Sequence, residues 1–190
     1  NTKALSLHGL TQTVPAFFAI PLVTPMVKKF EKKEVASFGI GLATVVYFVL
    51  FFMKDLSGMD FVFISAIGQF GYAFFNLIIW AFVTDVIDYH EYVTGLREDG
   101  TVYSVFSMAR KIGQAVAGGV GGFAIAAVGY NAVLEQQTET TLNGIYTLAT
   151  LVPALFYLTI CLILVFFYPL NKNRTNQLVR DLKKKRKERG

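Results

Sequence analysis

The sequence predicts an all-α integral membrane protein, a helical bundle with about five transmembrane helices. Hydrophobic residues make up 54% of the 190 residues, and 18 of them are Phe. The charged residues are concentrated in a few short segments, unlike the scattered charges of a soluble surface. Between those segments lie five apolar runs, each about as long as the roughly 20 residues that a helix needs to cross the hydrocarbon core.

The five spans are expected at residues 5–27, 35–53, 61–84, 101–128 and 145–168, within a transmembrane region of residues 1–170. The first contains Pro15, Pro21 and Pro25, breaks that neighbouring helices would have to accommodate. The second and third carry no charged residue. The fifth passes Pro153 and leads into a basic tail at residues 171–190.

The distribution of Lys and Arg predicts the orientation. Fourteen of the 18 basic residues lie on one side of the spans, in the KKFEKKE connection, at Arg97 and in the tail. Because basic segments stay in the cytoplasm, this side and the C-terminus are expected to be cytoplasmic, in a multi-pass protein of the inner (plasma) membrane. The odd number of spans and the start at Asn indicate a piece of a longer protein. The basic tail most simply fixes topology and meets anionic lipid, so no nucleic acid is expected as a partner.

Two polar rows run along the third and fourth spans. The row on the third span recurs at three- or four-residue steps and consists of Gln69, Tyr72, Asn76, Trp80, Thr84 and Asp88. The row on the fourth consists of Ser104, Ser107, Lys111, Gln114, Gly118 and Gly121. Lys111 lies about 15 Å past Thr101, near the middle of the bilayer. We interpret both rows as the lining of a hydrated cavity for a polar solute; the alternative for Lys111 is an ion pair with another helix that serves packing alone.

Other candidates follow from position. Trp80 could stack on a sugar ring or simply pack. The acids and Arg97 around the end of the third span could form ion pairs that hold a gate shut, or be solvated loop charges. Arg110 is offset by about 100° from Lys111, and we expect it to pair with Asp85, Asp88 or Glu91.

The composition argues against metal and enzyme chemistry. Cys161 is the single cysteine, which excludes an internal disulfide, and His90 and Glu91 lack the further ligands of a metal site. We therefore predict no metal site, and no cofactor beyond a coupling cation. The sequence contains no nucleophile–base constellation, so an enzyme is the least favoured class.

The segment DVIDYHEYVTGLREDGTVYSVFSMARKIGQAVAG closely resembles the glycoside-pentoside-hexuronide:cation symporter family, the melibiose permease-like branch of the major facilitator superfamily. The matching positions are Asp85, Asp88, Tyr89, Glu91, Thr94, Gly95, Arg97, Gly100, Tyr103, Ser104, Lys111 and Gly113. The resemblance implies a major facilitator-type bundle of twelve helices in two halves, with sugar bound between the halves and Na⁺, H⁺ or Li⁺ coupled to its movement. This chain would be the last five helices of the C-terminal six-helix half, and the main cation ligands would lie in the missing N-terminal half, its partner. The resemblance also implies that Lys111 acts at the sugar and cation site.

The sequence therefore predicts part of a secondary active transporter that carries a sugar or glycoside with a cation by alternating access. The predicted substrate residues are Lys111, Asn76, Tyr72, Ser107, Gln114 and Trp80. The predicted cytoplasmic gate residues are Asp85, Asp88, Glu91, Arg97 and Arg110. Transport of a lipid-like or other amphipathic solute is one alternative, and a truncated, non-transporting membrane module is another.

Overall fold

A computed structural model describes residues 2–53, 56–169 and 172–189, with side chains for residues 9–11, 13–53, 56–169 and 174–187. All regular structure in these residues is helical, which confirms the predicted all-α class. Lys54, in the connection between the second and third predicted spans, lies outside the described residues, as does the boundary between bundle and tail at residues 170 and 171. The elements are α1 (Thr2–Lys29), α2 (Lys32–Phe52), α3 (Gly58–Thr94), α4 (Asp99–Ala127), α5 (Glu139–Leu162) with a π-helical turn (Ile163–Phe167), and α6 (Lys172–Arg189).

Four segments of the described chain are long and apolar enough to cross a membrane. They are Gly9–Lys29, Lys32–Phe52, Gly58–Thr94 and Glu139–Phe167. Helix α4 forms within two residues of its predicted bounds but is not among the four. Its apolar run contains Arg110, Lys111 and Gln114, which lower the mean hydropathy of every long window. That α4 crosses the membrane thus stays a prediction.

Two helices are longer or more continuous than the predicted spans indicate. Helix α1 is continuous through Pro15, Pro21 and Pro25, so the expected breaks are wrong. Helix α3 continues for ten residues past the predicted end of its span, and its 37 residues measure about 55 Å against a hydrocarbon core of about 30 Å. The Ser57 side chain caps its first turn, and Gly95, with φ of 77°, ends it in the left-handed conformation that glycine adopts without strain.

Helix α3 is the centre of the bundle. It packs against α1 and α2, and α2 packs in turn against α5. The buried core comprises Ala19, Val35, Ala36, Ile40, Ala73, Phe74, Ile78, Phe82 and Leu164. Helix α4 differs, because none of its residues, all of which the structure describes, is buried. The side chains of α4 are therefore available to a ligand or to another part of the protein.

The predicted basic tail forms a helix that docks on the bundle. Helix α6 packs against α3. Its apolar side chains Leu178 and Leu182 are buried, although the helix as a whole is strongly polar. This docking was not expected from the sequence, where the charges of the tail dominate the pattern.

Candidate functional site

An ionic cluster forms around the last turns of α3. It consists of the acids Asp85, Asp88 and Glu91 and of three cations from other segments, Lys32, Arg97 and Arg186. The acids are three residues apart, so they follow one another along the same side of the helix. Asp85 and Glu91 are both buried. Burying a carboxylate is costly unless it is paired, and each acid of the cluster has a cationic partner.

Asp85 connects α3 to the start of α2. Its Oδ1 accepts a hydrogen bond from Lys32 Nζ at 2.7 Å. The Tyr168 hydroxyl, just after the π-helical turn, lies 3.4 Å from Oδ2. The next residue of α2, Lys33, donates to the main-chain carbonyl of Val165 at 2.9 Å. The beginning of α2 is thereby fastened to both α3 and the end of α5.

Arg97 folds back from the turn after Gly95 onto α3. Its Nη1 donates to Asp88 at 2.9 Å and to Glu91 at 3.0 Å, and its Nε lies 2.9 Å from Asp99. The hydrogen bond to Asp88, with those to the other two acids, raises the pKa of the Arg97 guanidinium above its ordinary value. The turn between α3 and α4 is consequently held in place by charge-assisted hydrogen bonds.

Helix α6 supplies the remaining cation. Arg186 Nε donates to Glu91 Oε1 at 2.8 Å, so Glu91 is shared by Arg97 and Arg186. The neighbouring Lys185 donates to the Tyr92 carbonyl at 3.3 Å and lies over the Tyr92 ring. Sequence reasoning placed the acids and Arg97 together but missed Lys32 and Arg186. No local pattern marks these two residues, because both reach the cluster only through the packing of distant helices.

A cavity of about 350 Å³ adjoins the cluster. It lies between the α1–α2 connection, α3 and α6. Its lining includes Lys32, Lys33, Thr84, Asp85, Asp88 and Asn176. The charged end of the bundle is therefore incompletely packed, and these side chains have room to move.

Arg110 does not join the ionic cluster. Its guanidinium carbon lies 5.6 Å from the centre of the Trp80 ring and 5.8 Å from that of Phe106. Among the described residues it makes no ion pair with Asp85, Asp88 or Glu91, so the expected pairing is wrong. The Trp80 and Phe106 rings pack edge to face, with centroids 5.3 Å apart, and so create the aromatic surface over which Arg110 lies.

The row predicted on α3 is divided between packing and exposure. The Gln69 amide is buried and donates to the Tyr47 hydroxyl at 2.9 Å. Tyr72 is half-buried, with its ring centroid 5.7 Å from that of Tyr157. Asn76, Trp80 and Thr84 are exposed. Gln69 and Tyr72 thus belong to the helix interface, and the cavity role of Tyr72 stays a prediction.

The row predicted on α4 is exposed. Ser107, Lys111 and Gln114 all lie on the surface. Within the part of the chain that the structure describes, none of the three has an ion pair or a side-chain hydrogen bond. The packing alternative for Lys111, an ion pair with another helix, thus has no partner among the described residues.

Together, these features define a helical membrane protein with an ionic cluster at one end and an exposed polar row on a poorly packed helix. The chain belongs to the family described as MFS/sugar transport protein, which matches residues 1–172. This agrees with the family resemblance in the sequence and with the exclusion of an enzyme, because the family is one of transporters.

Curated relatives cover nearly all of the chain. A putative sulfoquinovose importer of Salmonella typhimurium is 36% identical over 96% of it. An uncharacterized symporter of Bacillus subtilis and a glucuronide carrier protein homolog of Escherichia coli are each 34% identical, over 97% and 98% of it. The chain spans only 38% to 40% of the length of these relatives.

Proposed function

We propose that this chain is part of a secondary active transporter that moves a sugar or glycoside together with a cation. The observation that carries the proposal is the exposed row of Ser107, Lys111 and Gln114 on α4 of a chain from a sugar transport family. Polar and cationic side chains within a membrane span usually face a hydrated cavity or a partner. The part of the relatives that this chain does not cover supplies the other wall of that cavity and the main ligands of the coupling Na⁺, H⁺ or Li⁺.

We assign substrate contact to the row on α4 and to the exposed residues of α3. Ser107 and Gln114 offer hydrogen bonds to sugar hydroxyls, and Asn76 does so from the facing helix. Trp80 offers a ring face on which a sugar could stack, although Arg110 already lies near it. Tyr72 completes the set from the helix interface.

Lys111 suggests an acidic class of sugar. Relatives of the chain are named for sulfoquinovose, for a glucuronide and for 2,3-dihydroxypropane-1-sulfonate, all of which carry a sulfonate or a carboxylate. Lys111 has no ion-pair partner in the part of the chain that the structure describes, and an ammonium group in a low-dielectric span interacts strongly with such an anion. We assign Lys111 to the charged group of the substrate, with a further influence on the cation site.

The ionic cluster serves as the cytoplasmic gate in this proposal. Asp85, Asp88, Glu91 and Arg97 tie the end of α3 to the chain before and after it. In alternating access these connections would have to rearrange when the bundle rocks. The distribution of Lys and Arg supports this placement, because basic connections are expected on the cytoplasmic side of an inner-membrane protein.

The decisive experiment is cation-dependent uptake by vesicles that contain the full-length transporter. A panel of neutral glycosides, glucuronides and sulfonated sugars is tested with and without a Na⁺ or H⁺ gradient. We expect Lys111→Ala to abolish coupled uptake with insertion intact. Val120→Ala, a change at an exposed position on the opposite side of α4 from Lys111, should retain uptake. Normal uptake by Lys111→Ala would refute the role of Lys111, and no uptake of any sugar by inserted wild type would refute the sugar proposal.

A groove between α3 and α4 favours one alternative substrate class. It measures about 490 Å³ and is lined mainly by apolar side chains, among them Ile79, Val83, Val86, Val105 and Phe106. Such a surface suits a lipid-like or other amphipathic solute. Competition distinguishes the two, because excess glycoside blocks labelled substrate uptake only if sugar is the true substrate class.

A further inference from the structure

Helix α6 has two different faces. Leu178, Leu182 and Arg186 face α3, where the two leucines are buried and Arg186 pairs with Glu91. At 100° per residue, the other basic side chains of the described part of the helix are not spread evenly. Four of them fall within about 100° of arc, roughly opposite the docked face: Arg180, Lys183, Lys184 and Lys187.

The four cations of this basic face are available for binding. All four are exposed. In the described part of the chain, none of them takes part in an ion pair. Asp181, an acid of the same helix, falls outside the sector. The cations of α6 thus fall into two groups: Arg186 binds α3, and the four of the basic face point away from it.

The position of α6 brings this surface close to a bilayer. The π-helical turn that ends α5 presents Phe166 and Phe167 with 74% and 77% of their surface exposed, as lipid-facing residues would be. Four residues separate Phe167 from Lys172, the start of α6, so their Cα atoms are at most about 17 Å apart. A helix tethered this closely, with its docked face fixed on α3, stays within reach of the lipid headgroups.

We propose that the basic face of α6, formed by Arg180, Lys183, Lys184 and Lys187, binds anionic phospholipid headgroups while the opposite face stays docked on α3. Clusters of four or more cations immediately beside a span are attracted to anionic leaflets. Three of the four are lysines, whose compact and strongly hydrated charges suit an interface without fixed geometry. The tether favours a lipid surface over an acidic polypeptide as the occupant.

The test compares two double variants of the full-length protein with the same change in charge. Lys184→Gln/Lys187→Gln removes half of the basic face, whereas Lys185→Gln/Arg186→Gln changes the docked face. Native mass spectrometry in detergent then measures how many phosphatidylglycerol molecules each protein retains relative to phosphatidylcholine. We expect roughly a tenfold loss of phosphatidylglycerol preference for the first variant and no loss for the second. For wild type, the preference should collapse at high salt.

Other outcomes would overturn the proposal. An equal loss in both variants would show attraction to total charge rather than to one face. Unchanged preference in both would remove lipid as the ligand and leave an acidic polypeptide as the occupant. Circular dichroism and monodisperse elution establish that each variant is folded, and Lys183→Gln/Lys187→Gln replaces the first variant if it is not. The readout needs no transported substrate, so it is independent of the proposed function.

Discussion

Lys32 and Asp85, 53 residues apart in the chain, form an ion pair with 2.7 Å between Lys32 Nζ and Asp85 Oδ1. The Asp85 side chain is 7% exposed and that of Lys32 is 33% exposed. The pair fastens the first turn of α2 to α3 beside the cavity at the charged end. Because the carboxylate is the more buried partner, removing Lys32 leaves a buried charge unpaired, whereas removing Asp85 leaves a cation that is partly in contact with solvent.

Removing Lys32 alone should destabilise the protein. Lys32→Met leaves a buried carboxylate without its cation, and we expect a cost of about 2 kcal/mol, less than for a fully buried pair because Lys32 is partly solvated. The midpoint of thermal unfolding in detergent measures the effect. Lys32→Met/Asp85→Leu is the matched control and should lie closer to wild type. If the double variant is as unstable as Lys32→Met, the unpaired charge is not the cause.

Arg186 should determine how firmly α6 is docked. Its pKa is raised above the ordinary value, mainly by the hydrogen bond to Glu91, which indicates a favourable contact. Arg186→Gln removes this contact, and the remaining contacts of Leu178, Leu182 and Lys185 should hold the helix less tightly. Hydrogen–deuterium exchange should therefore quicken severalfold across α6. Lys187→Gln, a change of equal charge on the exposed face, should leave exchange unchanged; equal acceleration by both would contradict the assignment.

Gly39 and Gly71 allow α2 and α3 to approach closely. A Cβ on Gly39 would lie 2.5 Å from the Gly71 carbonyl oxygen, and a Cβ on Gly71 would lie equally near that of Gly39. Gly39→Ala must push the helices apart, and we expect it to cost about 1–3 kcal/mol. On the same helix, Gly41→Ala meets only Cys161 Sγ at 3.8 Å and should be neutral. The midpoint of thermal unfolding measures the stability of both variants. Equal stability of Gly39→Ala and Gly41→Ala would argue against tight packing of α2 on α3 at Gly39.

The helices were predictable because their apolar runs have the length of a membrane span. Helix α4 illustrates this, since its run is bounded by the charged turn after Gly95 and by the polar loop after Val128. The helical row of α3 was already expected to reach Asp88, but the span was ended at Thr84, where the apolar run gives way to acids, so the full length of the helix was missed. One available signal was Gly95 itself, a frequent helix end, placed after these acids.

The partners of the charged residues were less predictable than their positions. The offset of Arg110 from Lys111 correctly separated the two side chains, but the choice of an acid over Trp80 as its neighbour was wrong. The sequence pattern allowed several residues to be the neighbour of Arg110. Only the packing of α3 against α4 determines which of them it contacts. The same holds for Lys32 and Arg186, whose contacts with the acids cross 53 and 95 residues of chain.

Tyr146 caps the end of α2 from α5, at the opposite end of the bundle from the ionic cluster. Its hydroxyl lies 2.6 Å from the Leu50 carbonyl oxygen and 2.7 Å from that of Met53, two acceptors at the helix terminus. Tyr146→Phe keeps the ring but removes the donor, so we expect a loss of about 1 kcal/mol in unfolding free energy. Tyr130→Phe, on an exposed ring, is the matched control. A lower melting temperature for Tyr146→Phe alone would establish the cap, whereas equal values for both variants would show that water replaces the hydroxyl at these carbonyls.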